Sequence, residues 1–138
     1  MTSLGKSRSD GFTLIELVVA MVIIAILTAV AIPTYRYYSL KAKRSDALNS
    51  LSTDQSTLER CYAQFLAYNS ANCPLATGGF PQNSLKGYYV ITAPTLNATQ
   101  YTLTATATGP QTADTACETF TVDQTNTQTA TTSSCWQH

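Results

Sequence analysis

Residues 12 to 32 form an apolar run interrupted only by Thr13, Glu16 and Thr28. As a helix this run would span about 30 Å, the thickness of one hydrocarbon core, so the segment can cross a membrane. It also contains a carboxylate. An ionised side chain held in hydrocarbon costs a few kcal/mol or more, so Glu16 at that depth needs a partner. A secretory signal peptide does not fit, because its apolar core is shorter and is followed by a small-x-small cleavage site. Here a short polar piece, Met1 to Gly11, precedes a core that is too long.

At 138 residues the chain has room for the apolar helix and one modest domain beyond it. The formal net charge of +0 argues against a surface coated with basic charge, although charge can still be local. Four cysteines, Cys61, Cys73, Cys117 and Cys135, all follow the apolar run. That distribution reads as two disulfides on the exported side of a membrane, in an oxidising compartment. Zinc is not indicated, since there is no CxxC pair and the one histidine is His138, the last residue. No GxSxG, no glycine-rich phosphate loop and no paired catalytic acids are present, so the chain does not read as an enzyme and calls for no cofactor.

Beyond Pro33, the residues Leu48, Leu51, Leu58, Tyr62 and Phe65 recur at spacings of three and four, with Gln55 in the one skipped position. The spacing predicts an amphipathic helix reaching Leu66 or so, with its apolar stripe laid on a sheet. Pro33 lacks a backbone donor and is expected to bend or loosen the helix one turn back, around Ala29 to Ile32. Residues 69 to 87, rich in Asn, Gly and Pro, read as a connecting loop. Three strands follow, in "YYVITAPT", "YTLTATATG" and "CETFTVDQ". In the second, Tyr101, Leu103, Ala105 and Ala107 share one face and threonines the other; in the third, Phe120 and Val122 point inward. The fold class is α+β, one long helix on a small antiparallel sheet.

Arg36, Lys41, Lys43 and Arg44, interleaved with Tyr35, Tyr37 and Tyr38, make one basic-aromatic cluster. Such a cluster suits nucleic acid, or an interfacial belt that touches lipid phosphate and neighbouring subunits. Zero net charge and a small cluster give few phosphate contacts, so the belt is preferred and DNA is the minor reading.

Gly11, then Phe12-Thr-Leu-Ile-Glu16, then an apolar stretch ending at Pro33 and Tyr35, resembles the class III signal of the type IV pilin family. The "YTLTATATG...CETFTV...CW" ending is similar to minor pilins of the PilE kind. The resemblance implies a leader, residues 1–11, removed by a prepilin peptidase that cuts between Gly11 and Phe12 and methylates the new Phe12 amine. It implies a membrane and filament-core helix over 12–35, its amphipathic continuation over 36–68, and a loop and sheet head over 69–138, the ladle of that family. Chemistry agrees, because the cut creates an ammonium as costly in hydrocarbon as Glu16 itself. Within one helix the two groups share a crowded first turn, whereas a staggered neighbour can bring its Phe12 amine to Glu16.

The function so implied is that of a pilus subunit, a minor one, serving motility, adhesion or DNA uptake. Its partners would be other pilin subunits, the prepilin peptidase, the inner-membrane assembly machinery and the membrane. It would sit in the inner membrane as a single-pass protein and later in an extracellular pilus. The resemblance pairs Cys117 with Cys135 and leaves Cys61 for Cys73; four cysteines by themselves allow two other pairings. Two alternatives stay open: a type II secretion pseudopilin, and a membrane-anchored binding module that never polymerises. Asp114, Glu118 and Asp123 near Cys117 are calcium candidates by analogy with such pseudopilins, set against the plainer reading of three solvated acids.

Overall fold

The computed structural model describes residues 11 to 136. The leader before Gly11, with Lys6 and Arg8, and the terminal His138 lie outside the described residues. The chain divides into two compact units, Met1–Tyr37 and Tyr38–His138.

One helix, α1 (Leu14–Phe65), runs through both units. It starts at an N-cap: Thr13 Oγ1 accepts from the Glu16 backbone N–H at 3.3 Å, and Thr13-x-x-Glu16 has the sequence pattern of a capping box. The helix therefore begins at Leu14, and Phe12 precedes it. It continues through Pro33 without interruption, so the expected loosening over Ala29 to Ile32 is not seen in the isolated chain. The Thr34 hydroxyl donates to Val30 O at 2.9 Å, one residue along from the carbonyl that the proline leaves without a donor. The helix ends at Phe65, where Leu66 takes a left-handed conformation (φ 54). Glycine usually fills that position, which is why the end is hard to read from sequence.

In the second unit, five antiparallel strands lie in the order β1-β2-β3-β4-β5: β1 (Gln82–Asn83), β2 (Tyr89–Leu96), β3 (Tyr101–Ala107), β4 (Thr119–Asp123) and β5 (Gln128–Ala130). The three expected strands are present, with a short strand added at each edge. In β3, Tyr101, Leu103, Ala105 and Ala107 are buried and the intervening threonines half-buried, as the alternation predicts. Phe120 and Val122 of β4 are buried likewise. The helix contributes Ala47, Leu51, Leu58 and Cys61 to this core. The stripe thus runs through Ala47 and Cys61 rather than out to Phe65, which is 40% exposed, and Leu48 and Tyr62 lie at its margin.

The same helix face carries two buried acids that the apolar spacing does not reveal, Asp46 and Asp54. Asp46 receives the Ser84 hydroxyl and the backbone N–H groups of Lys86 and Tyr88, and so fixes the β1–β2 turn against α1. Gly87 closes that turn at φ +74, a conformation open to glycine at no steric cost.

Candidate functional site

In the first unit, every large apolar side chain from Phe12 to Ile32 is exposed, from 45% at Val18 to 84% at Leu14. An 18-residue window of this helix is apolar enough to cross a membrane, and none of it is buried. An apolar surface of that extent in water is far beyond what an isolated soluble protein carries. Glu16 lies in the first helical turn, two residues into α1, with its side chain exposed among these residues. Gly11, Phe12 and Thr13 are non-helical, so the expected cleavage point lies outside the helix, just before it.

The four basic residues part company. Arg36 lies in the first unit and is exposed; Lys41, in the second, is exposed too. Lys43 holds its Nζ 4.9 Å from the centroid of the Tyr88 ring, a cation–π contact. Arg44 is not a surface contact. Its Nε and Nη2 donate to Asp114 Oδ2 and Oδ1 at 2.7 and 2.8 Å, a two-pronged pair with side chains 14% and 6% exposed. Gln111 also donates to Asp114 Oδ2, at 3.3 Å, and to Leu40 O at 3.1 Å. Arg44 therefore ties α1 to the turns that precede β4.

That pair also removes Asp114 from any calcium site. Asp123 is used up locally: its Oδ1 accepts from the backbone N–H of Thr125 and Thr127 at 2.8 and 2.9 Å, capping the β4–β5 turn. Among the described residues, no three His, Cys, Asp or Glu side chains come together.

Sequence reasoning missed Lys86. The turn that Asp46 anchors brings it beside the helix one turn beyond Lys43, with Tyr88 two residues further on. Nothing in the run "SLKG" alone reveals that neighbourhood. The structure joins Cys61 to Cys73 and Cys117 to Cys135, with Cα–Cα separations of 5.6 and 5.7 Å.

Known proteins with similar sequences or folds bear on this geometry. The family model described as type IV minor pilin ComP, DNA uptake sequence receptor, matches residues 33–121. The prokaryotic N-terminal methylation motif matches residues 6–32. The major fimbrial protein FimA of Dichelobacter nodosus is 33% identical over 86 residues, 57% of this chain and 55% of that protein. The major pilin PilE of Neisseria gonorrhoeae is 35% identical over 85 residues, 62% of this chain and 50% of that protein. The chain spans about half the length of the curated relatives it matches. The fold is similar to that of the Neisseria meningitidis non-core minor pilin PilV, with a TM-score of 0.52 and 22% identity, covering 67% of this chain and 87% of PilV. With residues 33–121 matched by a minor-pilin model and the apolar run before them by the methylation motif, the chain belongs to the type IV pilin family, among the minor pilins.

Proposed function

We propose that the chain is a minor subunit of a type IV pilus. A prepilin peptidase cuts between Gly11 and Phe12 and methylates the Phe12 amine. Residues 12–35 hold the product in the inner membrane as a single span until the assembly machinery draws it into a filament. There Glu16 receives the Phe12 amine of a neighbour, and residues 38–138 are displayed. The observation that carries this reading is the uncovered apolar surface from Phe12 to Ile32, which membrane or neighbouring helices would cover. Pro33 ends that surface and would be the point where helix is lost on packing, since its ring already removes one backbone hydrogen bond. Glu16→Ala is expected to leave a cleaved, membrane-resident protein that enters filaments poorly, measured in sheared surface fractions. Incorporation at the wild-type level would mean that the carboxylate snorkels to the headgroups instead.

A second reading is DNA contact, favoured by the match over residues 33–121 to a model described as a DNA uptake sequence receptor. In this chain it would rest on Lys41, Lys43 and Lys86 with the Tyr88 ring; Arg44 is committed to Asp114. Changing each lysine to glutamine in the full chain should lower the slope of log affinity against log salt by about one. Arg44→Gln should instead destabilise the fold. Affinity that does not respond to salt, or is unchanged in the triple glutamine variant, would remove this reading.

A further inference from the structure

Between α1 and β1 lies a cleft of about 210 Å³, lined in part by Asn49, Ser50, Asp54, Gln82, Leu85 and Ile91. Asp54, only 7% exposed, is the one ionisable group among the described residues that line it. Its Oδ2 accepts from Gln82 Nε2 at 2.8 Å. Its Oδ1 receives no hydrogen bond from any described residue, yet it is not sealed from solvent: Gln111 Oε1 is the one sealed, unpartnered side-chain atom among the described residues. Asp46, two turns earlier and also buried, is by contrast supplied with three donors.

A carboxylate so placed lacks charge-assisted donors, and burial pushes its pKa up to about 6, partly offset by the Gln82 bond. Near neutral pH it is largely ionised and its partner is an amide, not a cation. The geometry selects among cations. A guanidinium would spread its fork over both carboxylate oxygens, and its second prong would share Oδ2 with the Gln82 amide, so it gains less here than at a carboxylate with both oxygens open. A hard metal ion takes several oxygen ligands, usually with more than one carboxylate, and the cleft offers a single acid. A primary ammonium is a compact point charge with three donors, suited to one free carboxylate oxygen and the nearby amide and hydroxyl oxygens. An apolar side chain is present as well: Leu85, 88% exposed, stands at the rim, with Ile91 buried beneath the cleft.

We propose that this cleft binds an alkylammonium group, its nitrogen on Asp54 Oδ1 and its methylenes against Leu85. The group is a free aliphatic amine or the side chain of a lysine on another polypeptide.

The test uses the full chain in detergent micelles, at a pH well above the Asp54 titration. The Gln82 side-chain amide and Ile91 methyl resonances are followed while n-pentylammonium chloride is added. A saturable shift with a millimolar midpoint is expected, and tetramethylammonium, which has no N–H donor, should give none. Asp54→Asn keeps an acceptor for Gln82 and should abolish the shift while leaving the remaining spectrum in place. Leu85→Ser, at an exposed position, should weaken pentylammonium several-fold and leave methylammonium unchanged. An equal response to tetramethylammonium, a response that survives Asp54→Asn, or none at tens of millimolar overturns the proposal. Filament yield then assigns the source: if the group is a neighbouring subunit's lysine, Asp54→Asn alone and pentylammonium added to wild type both lower the yield, and if it is a free amine neither does.

Discussion

Asp46 and Asp54 occupy the same buried face of α1, yet only the first has the donors that a buried carboxylate needs. The difference becomes a dependence on pH. Asp54 moves from an ordinary 3.8 to about 6 on folding, so the folded chain holds the proton more tightly than the unfolded one. Its contribution to stability is therefore full below about pH 4 and is lost as pH rises through about 6. Asp54→Asn should be near neutral at about pH 4 and stabilising by about 1–3 kcal/mol at about pH 8. Thermal melts at the two pH values check this; an equal offset at both would show that Asp54 does not titrate as described. Neither aspartate was legible in sequence, because apolar periodicity is blind to a polar residue on the inner face whose donors arrive from distant residues, the β1–β2 turn for Asp46 and Gln82 for Asp54. Arg44 was misread for a similar reason. Four basic residues in one helical stretch point in different directions, and only the arrival of Asp114, seventy residues later, decides which one turns inward.

The long helix and the strands β2, β3 and β4 were legible because each repeats its pattern over enough residues for a period to show. β1, with two residues, and β5, with three, are too short to display alternation. A better cue to β5 was the turn before it, where Asp123 caps the N–H groups of Thr125 and Thr127 and Asn126 takes φ 60. The start of α1 was equally available: Thr13-x-x-Glu16 has the sequence pattern of a capping box, though Glu16 was weighed for its charge alone. The two disulfides staple these elements, Cys61 holding the end of α1 to the following loop and Cys135 holding the segment after β5 to the turn before β4. Non-reducing peptide mapping should recover those two pairs. Replacing Cys117 and Cys135 together by alanine should cost about 3 kcal/mol in denaturant unfolding, the chain-entropy value for a loop of this size. No loss, or crossed linkages in the map, would mean that the staple is not as drawn.

For the protein in its cell, the first observable is where the mature chain begins. Intact mass of membrane-extracted protein should correspond to a start at methylated Phe12, and retention of Met1 to Gly11 in a peptidase-competent cell would contradict the proposed processing. In the proposed function the second unit folds after the apolar helix has entered a membrane, which gives the strand order a meaning of its own. Each strand of the sheet pairs only with its neighbours in sequence, so no pairing waits for a distant segment. Local pairing of this kind lowers contact order and speeds folding. A chain delivered in sequence order can zip one hairpin after another, laying each on an α1 already present, so that no inner strand stands unpaired while it waits for a later partner.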